Sequence, residues 1–208
     1  MVFLDLSKAF DRVWHKGLLF KLKQLGISGP LLSWIDNYLS NRHQRVVIDG
    51  QCSDWIKIEA GVPQGSILGP LLFVVFINDI VREIRANIKL FADDTSLFHS
   101  IVDAHITQRL INQDLQKIAE WAAQWLMIFN AIKNETMTFS LRNNPAIQPP
   151  LYFNGTPLKE VSEHTHLGLT FSSNMSWKPH VDRVCFRAGQ RNNILTGKAN
   201  IGVWRRGV

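Results

Sequence analysis

The chain has few cysteines and no long hydrophobic run, and both absences exclude classes of protein. Its 208 residues include two cysteines, Cys52 and Cys185. Because they lie far apart, a disulfide scaffold is disfavoured and a reducing, intracellular compartment is expected. The longest apolar stretch, residues 67–77, contains a glycine and a proline, whereas a bilayer span needs about 20 apolar residues. We therefore expect a core helix there, no membrane partner and, since Met1 leads directly into an apolar run, no secretory signal.

Positive charge is concentrated at the C-terminal end. The hydrophobic content of 46% can supply the core of one domain with an appendage. Residues 173–208 contain seven Lys/Arg and one acid, so they account for the net charge of +6. Arg183, Arg187 and Arg191 recur every four residues, which places them on one helix face. Such a stripe can follow a phosphate backbone, or it can be an ordinary solvated face; both interpretations remain open.

Three aspartates stand at the ends of apolar runs. Asp5 follows a strand-like run, and Asp93 and Asp94 fall between two strand-like runs, in a predicted hairpin turn. An unpaired carboxylate at the edge of a core is costly, although an Asp-Asp turn is also common on ordinary surfaces. A divalent metal would compensate the charge. Oxygen ligands without a neighbouring Cys/His set favour Mg²⁺ or Mn²⁺ over zinc.

A third segment, residues 61–73, lies between the two acidic sites. It begins with glycine and proline around Gln64-Gly65, which predicts a tight turn running into a helix. A backbone free of bulky side chains, with a glutamine at its head, can approach a base pair and its sugar closely.

These three segments together resemble the reverse transcriptases of non-LTR (LINE-type) retrotransposons, nearest the jockey and CR1-like group. Residues 3–11 resemble motif A, residues 61–73 motif B with its Pro-Gln-Gly-Ser core, and residues 91–94 motif C. Their order and spacing agree with the family. The resemblance implies an α+β fold, the palm of a right-hand polymerase, with an antiparallel sheet and helices packed on one face. We expect the palm over residues 1–172, the basic helical start of a thumb over 173–208, and missing fingers, as in a fragment of a longer polyprotein.

The resemblance also implies a metal site. Asp5 and Asp93 match the two principal ligands of two Mg²⁺ (or Mn²⁺) ions, Asp94 matches a supporting acid, and the backbone carbonyl of Leu6 would complete a site. Two such ions are the apparatus of nucleotidyl transfer to a primer 3′-hydroxyl.

Other residues match positions that contact nucleotide or nucleic acid. Phe10 matches the aromatic ring that rejects ribonucleotides, although a core phenylalanine is the simpler interpretation. Gln64 and Gly65 match residues lining the incoming nucleotide and the template base. Lys133 resembles the motif D lysine proposed to protonate pyrophosphate, although it could be an exposed loop lysine.

A last motif and the substrates complete the expectations. The segment His166-Leu167-Gly168-Leu169 resembles motif E, the hairpin that grips the primer. The implied partners are an RNA template, a DNA primer and dNTPs, and the implied locations are cytoplasm and nucleus.

Competing functions differ at identifiable positions. A viral RNA-dependent RNA polymerase has a second aspartate where this chain has Phe10, and a glycine where it has Ala92. Group II intron maturases and telomerase share the chemistry, but residues 7–11 and 68–71 favour the retroelement. A catalytically inactive remnant that at most binds nucleic acid remains open.

Local patterns predict the main elements. We expect strands at residues 2–6, 136–141 and 167–171, helices at 16–24, 29–39 and 66–84, and β-hairpins at 44–60 and 89–98. Asp103 should cap a helix reaching about residue 126. The predicted apolar face of this helix consists of Ile106, Leu110, Leu115, Ile118 and Trp121.

Overall fold

The computed structural model describes residues 1–142 and 146–199, which divide into two compact units. The first unit comprises Met1–Thr136 and Pro149–Lys159, and the second comprises Met137–Gln148 and Glu160–Val208. The predicted boundary between palm and thumb at residue 172 stays a prediction. In the described part of the chain, no helix is long and apolar enough to cross a membrane.

The elements follow one another in the order of the chain. The helices of the first unit are α1 (His15–Gln24), α2 (Gly29–Leu39), α3 (Leu68–Ile77) and α4 (Ala104–Gln124), with 3-10 turns at Ala9–Arg12 and Asn78–Val81. Its strands are β1 (Val2–Asp5), β2 (His43–Gln44), β3 (Val47–Ile48), β4 (Gln51–Cys52), β5 (Ile56–Lys57), β6 (Asn87–Phe91), β7 (Asp94–Phe98), β8 (Glu135–Thr136), β9 (Tyr152–Phe153) and β10 (Thr156–Pro157). Strand β11 (Lys159–Glu160) spans the boundary of the units, and the second unit contains β12 (Glu163–His166), β13 (Leu169–Ser172) and α5 (Lys178–Ala199).

The main sheet has five strands in the order β11-β8-β1-β7-β6. Strand β1 pairs antiparallel with both β7 and β8. Residues 2–4 are buried, as expected of an apolar strand at the centre of a sheet. The observed mixture of helices with a mainly antiparallel sheet confirms the α+β class, whereas the fingers and thumb assignments stay predictions.

Aromatic and aliphatic side chains of α3 and α4 form much of the core. Phe73 and Phe76 on α3 and Leu115 and Ile118 on α4 are fully buried. The Phe76 ring also makes an edge contact with Trp121. Close packing of this kind supplies most of the hydrophobic stabilisation of a domain.

A lysine lies inside this core. Lys21 on α1 is 5% exposed, and its Nζ donates to the Phe76 carbonyl oxygen at 2.6 Å and to Asp79 Oδ1 at 2.5 Å. The ammonium also lies 3.6 Å from the centroid of the Trp125 ring. Burial lowers the pKa of Lys21 to about 8, and the hydrogen bond to Asp79 opposes that shift only in part.

Asp114 is a second charged residue of the core that sequence reasoning missed. It is fully buried on α4, and its carboxylate accepts the backbone N–H groups of Arg85 at 3.1 Å and Ala86 at 2.7 Å. The carboxylate therefore holds the chain at the point where it enters β6.

Several predicted boundaries were wrong for identifiable reasons. Helix α3 ends at Ile77 and a 3-10 turn follows, in which Asp79 accepts from Lys21. Ile106 is 54% exposed, because the buried face of α4 runs through Thr107 and Ile111. Strand β8 ends at Thr136, and β12 was not predicted as a strand because its sequence is polar. The strand predicted over 167–171 begins only at Leu169, because the two residues before it form the hairpin turn. The helix over 29–39 and the cap by Asp103, which accepts the N–H of Ile106 at 2.8 Å, are confirmed.

The second unit contains a hairpin and the basic helix. Strands β12 and β13 pair through a two-residue loop, Leu167-Gly168, in which both residues have positive φ, as tight hairpins require. Arg183 on α5 donates to the hydroxyls of Thr165 and Thr170 on this hairpin. The predicted stripe is therefore not uniform, since Arg183 serves the packing of its own unit while Arg187 and Arg191 are exposed. Residues 200–208 of the predicted thumb lie outside the described residues.

Candidate active site

Asp5 and Asp93 line one pocket of about 610 Å³. Asp5 is the last residue of β1 and lies directly opposite Asp94, the first residue of β7. Asp93 is the second residue of the two-residue loop between β6 and β7. Antiparallel pairing therefore brings together carboxylates that are 88 positions apart in sequence. The pocket is lined by Asp5, Leu6, Ser7, Lys8, Ala9, Phe10, Arg12, Gln64, Asp93, Asn130 and Lys133.

The hairpin that carries Asp93 contains an unfavourable backbone conformation. Ala92 precedes it with a φ of 51°, a left-handed value that costs an L-residue other than glycine roughly 1–2 kcal/mol. Strain of this kind is typical of functional sites.

Asparagines that sequence reasoning missed hold the backbone of Asp5. The N–H of Asn130 donates to the carbonyl oxygen of Asp5 at 2.7 Å, and the N–H of Asp5 donates to Asn134 Oδ1 at 3.1 Å. Ser7 N–H extends the pairing by donating to the Ile128 carbonyl oxygen at 2.8 Å. The only signal in the sequence was a pair of asparagines four residues apart, which by itself predicts no contact with motif A.

The same segment places a cation beside Asp5. The Nζ of Lys133 lies 3.1 Å from Asp5 Oδ2, and the side chains are 62% and 25% exposed. Asp5 and Asp94 face each other on adjacent strands, where like charges repel. Lys133 thus supplies positive charge at the position where a metal ion would otherwise be expected to do so.

Phe10 takes part in both the core and the pocket. Its ring stacks on Phe73 with a centroid separation of 4.5 Å, and the same residue lines the pocket. The two interpretations of Phe10 are therefore compatible in geometry.

The glycine-rich turn is held against motif A. Gln64 Nε2 donates to Asp11 Oδ1 at 2.8 Å, so the glutamine is oriented at the edge of the pocket. A Cβ on Gly61 would lie 2.9 Å from the Cα of Asp11, which explains why only glycine fits there.

Ser66 connects the same turn to the helix that follows it. Its Oγ donates to the Pro63 carbonyl oxygen at 2.7 Å and accepts from the N–H of Gly69 at 2.9 Å. These bonds connect the turn to the start of α3.

Arg12 lines the pocket and has one buried, unsatisfied donor. Its Nε is buried and has no hydrogen-bond partner among the described residues, and the residue lines the pocket. Burying an unpaired polar group of this kind is unfavourable.

Several predicted site residues do not line this pocket. Asp94 adjoins it only through pairing with Asp5, and Gly65 has a φ of 79° without lining it. The hairpin residues 166–168 and the three arginines belong to the second unit. Their roles stay predictions.

Comparison with known proteins decides the family. The family described as reverse transcriptase (RNA-dependent DNA polymerase) matches residues 1–171. The chain belongs to the reverse transcriptase family. The resemblance to jockey-like non-LTR elements is also confirmed, because curated relatives from such elements match over most of the chain.

Three relatives from Drosophila melanogaster define this similarity. The chain is 32% identical to the probable RNA-directed DNA polymerase from transposon BS, over 93% of this chain and 22% of the relative. It is 33% identical to the RNA-directed DNA polymerase from mobile element jockey, over 88% and 20%. It is 30% identical to the probable RNA-directed DNA polymerase from transposon X-element, over 86% and 20%. This reverse transcriptase chain therefore spans about a fifth of the length of these relatives.

The oxygen donors of this reverse transcriptase suit a hard cation. Within residues 1–142 and 146–199, no group of three or more His, Cys, Asp or Glu is close enough to hold a metal ion. Magnesium, however, is usually held by one or two carboxylates together with substrate phosphates. Asp5 and Asp93 in one pocket are consistent with that pattern.

Proposed function

We propose that this reverse transcriptase chain extends a DNA primer with dNTPs on an RNA template, using two divalent metal ions. The observation that carries the proposal is one pocket that collects Asp5, Asp93, Phe10, Gln64 and Lys133. These residues come from four separate segments of the sequence. Chance clustering of four segments, each matching a motif of the family, is a poor explanation.

The carboxylates would hold the metal ions. Asp5, Asp93 and the carbonyl oxygen of Leu6 are the proposed ligands for Mg²⁺ or Mn²⁺, and Asp94 is the supporting acid. When bound, two such ions lower the pKa of an attacking hydroxyl and stabilise the leaving group of an in-line displacement. Asn130 and Asn134 keep the backbone of Asp5 in place.

Cationic side chains of the pocket would bind the triphosphate and protonate the leaving pyrophosphate. Arg12 lines the pocket that also contains Asp5, so its guanidinium is the group that we assign to the phosphate oxygens. Lys133 is the proposed proton donor to pyrophosphate, because its ammonium is within 3.1 Å of Asp5 and is exposed enough to move.

Primer extension tests this function directly. With an RNA template, a DNA primer and Mn²⁺, Asp5→Asn and Asp93→Asn should each reduce extension by at least about a hundredfold, since removing one group that stabilises transition-state charge costs about 10²–10³ in rate. Asp54→Asn, which changes an exposed acid outside the pocket, should have no effect. Full extension by Asp5→Asn would refute the proposal.

Nucleic-acid binding without catalysis is the second candidate function. The observation that favours it is the exposure of Arg187 and Arg191, one turn apart on α5. The same experiment separates the two functions, because a remnant would bind the primer–template in a gel-shift assay and extend it in neither Mg²⁺ nor Mn²⁺.

A further inference from the structure

A histidine outside the motifs contacts the glycine-rich turn. His15 is the first residue of α1, and its Nε2 lies 2.7 Å from the carbonyl oxygen of Gly61. His15 is half-buried and Gly61 is buried, so the contact is only partly open to solvent. Neither the motifs nor the proposed chemistry assigns a role to this histidine.

The contact defines where the imidazole ring carries its proton. A carbonyl oxygen only accepts hydrogen bonds, so Nε2 of His15 must carry a proton and donate it to Gly61. In a neutral ring Nδ1 is then unprotonated. The two neutral tautomers differ in their spectra, so the contact predicts an observable property of one side chain.

The peptide group between Gly61 and Val62 is bonded at both ends. Its carbonyl oxygen accepts from His15, and its N–H, which belongs to Val62, donates to the Phe10 carbonyl oxygen at 2.8 Å. The N–H of Gly61 donates in addition to the Val13 carbonyl oxygen at 2.8 Å. Because a peptide group is planar, bonds at its two ends fix the orientation of the whole plane.

The donor of this bond is carried by a packed helix. Leu18 and Leu22 of α1 are buried in the core. Trp14, directly before His15, packs against Trp125 with a centroid separation of 6.5 Å. A side chain on such an element is positioned more precisely than one on a loop. The core therefore holds His15 in place, and His15 in turn holds the glycine-rich turn.

The orientation of this peptide group affects the spacing of two residues of the candidate active site. Phe10 and Gln64 line the same pocket. Val62 is bonded to the backbone of Phe10 and lies two positions before Gln64, whose Nε2 donates to Asp11 Oδ1. The distance between the Phe10 ring and the Gln64 amide therefore depends on the peptide group that His15 holds.

We propose that His15 is a positioning residue for nucleotide binding, which donates from Nε2 to Gly61 and thereby keeps the two pocket residues at the spacing that a bound nucleotide needs. That the ligand is a nucleotide rests on the proposed function. The backbone of Asp5 is fixed separately, by hydrogen bonds with residues 130 and 134. Loss of the His15 bond should therefore weaken nucleotide binding and leave the proposed metal ligands in place.

Nucleotide binding without catalysis tests the proposal. The dissociation constant of dGTP is measured on a primer–template whose primer lacks the 3′-hydroxyl, so that no transfer can follow. His15→Phe keeps a ring but removes the donor, and it should weaken dGTP binding about five- to tenfold, the value of one hydrogen bond. His105→Phe makes the same change at an exposed position of α4 outside the pocket and should have no effect.

A pair of amide variants separates the hydrogen bond from the packing of the ring. The amide nitrogen of His15→Gln reaches about as far as Nε2, and this variant should bind dGTP within about twofold of the wild type, because one donor replaces another. The amide nitrogen of His15→Asn corresponds to Nδ1 and is too short for Gly61, so this variant should resemble His15→Phe. The comparison of Gln with Asn also decides the question if His15→Phe does not fold.

Steady-state kinetics distinguishes positioning from chemistry. In primer extension, His15→Asn should raise the KM for dGTP about five- to tenfold and keep kcat within about twofold, since a uniform loss of binding changes KM alone. Mn²⁺ affinity without nucleotide should equal that of the wild type. A reduced kcat at unchanged KM would contradict a role in nucleotide binding.

The tautomer is measured independently of activity. At about pH 8.5, where an ordinary imidazole is neutral, ¹H–¹⁵N spectra should show His15 with a protonated Nε2, assigned by the loss of its signals in His15→Gln. A protonated Nδ1 would overturn the proposal. Wild-type dGTP affinity in His15→Asn, equal weakening in His15→Asn and His15→Gln, or a wild-type chain that does not bind dGTP would also overturn it. The expected pattern of dGTP binding in a chain that extends no primer would count against the polymerase function alone.

Discussion

At the residue scale, side chains of the pocket have two duties that a motif does not reveal. Phe10 packs on Phe73 and also lines the pocket. Lys133 is the proposed proton donor and is also the ion-pair partner of Asp5. A substitution of either residue removes both of its contributions. A control variant is therefore needed that changes only the packing or only the ion pair.

Substitution of Phe10 should alter sugar selection. Phe10→Val leaves space in the pocket beside Asp5, and we expect the ratio of rGTP to dGTP incorporation to rise at least about tenfold, since rejection of a single group by a shaped pocket is worth about 1–3 kcal/mol. Phe73→Leu is the control, because it loosens the same stacked pair from the side that does not line the pocket. It should lower stability without changing the ratio. An unchanged ratio in Phe10→Val would identify Phe10 as a core residue only.

Substitution of Lys133 should strengthen metal binding. Its ammonium competes with a cation for Asp5, and exposed ion pairs of this kind are worth about 0.2–1 kcal/mol. We therefore expect Lys133→Met to bind Mn²⁺ about two- to fivefold more tightly in titrations followed by electron paramagnetic resonance, with no nucleotide present. Lys159→Met removes a similar pair, 3.7 Å from Glu135 and outside the pocket, and should leave the affinity unchanged. Equal or weaker affinity in Lys133→Met would contradict the competition.

At the element scale, Asp103 before the start of α4 and Asp114 within the helix both accept hydrogen bonds from backbone N–H groups. Asp103 is exposed, whereas Asp114 is buried. Asp103 caps the start of the helix by accepting the N–H of Ile106, and its side chain is exposed. Asp114 accepts backbone N–H groups of Arg85 and Ala86 with no exposure. Local sequence predicts the first bond but not the second, because the partners of Asp114 are 28 and 29 positions away.

The two aspartates should differ in their effect on stability. Asp103→Ala should reduce the free energy of unfolding by about 1 kcal/mol, the usual value of an N-cap. Asp114→Ala leaves buried N–H groups without an acceptor and should cost about 2–3 kcal/mol. Urea denaturation followed by tryptophan fluorescence compares them under the same conditions. Equal losses of stability would mean that water replaces the carboxylate of Asp114, and that the start of β6 does not depend on it.

At the scale of the whole first unit, the buried Lys21 links stability to pH. The ordinary pKa of 10.5 holds for the unfolded chain, whereas burial lowers the folded value to about 8. Between those pH values the unfolded state binds the proton that the folded state has released. The free energy of unfolding should therefore rise with pH across this window, by about 1–3 kcal/mol in total.

Urea denaturation at about pH 7.5, 9 and 10, values that cover most of this window, measures the rise in stability. Lys21→Met has no titrating group at this position, so its stability should lack the increase seen in the wild type. Parallel pH profiles for the two proteins would show that Lys21 keeps an ordinary pKa through its contacts with Asp79 and Trp125.

The sequence by itself determined the family, the α+β class and the segments that carry the acids. Such features depend on short stretches of chain: an apolar run ending in Asp5, a turn at Asp93, a glycine-rich turn at Gln64 and a cap at Asp103. Local backbone preferences and neighbouring hydrogen bonds are sufficient to specify them. They could be read from residues a few positions apart.

Only the tertiary structure decided which side chains meet. Lys133 reaches Asp5 because residues 128–134 lie alongside the end of β1. Arg183 donates hydrogen bonds to the hairpin of its own unit. Arg42 lines a second pocket together with Gln64, because the chain returns through β5 to the glycine-rich turn. Most of these contacts join residues tens of positions apart, and their energies depend on burial and on the distances between charged groups. Both are set only when the chain is folded, so no local pattern could have predicted these contacts.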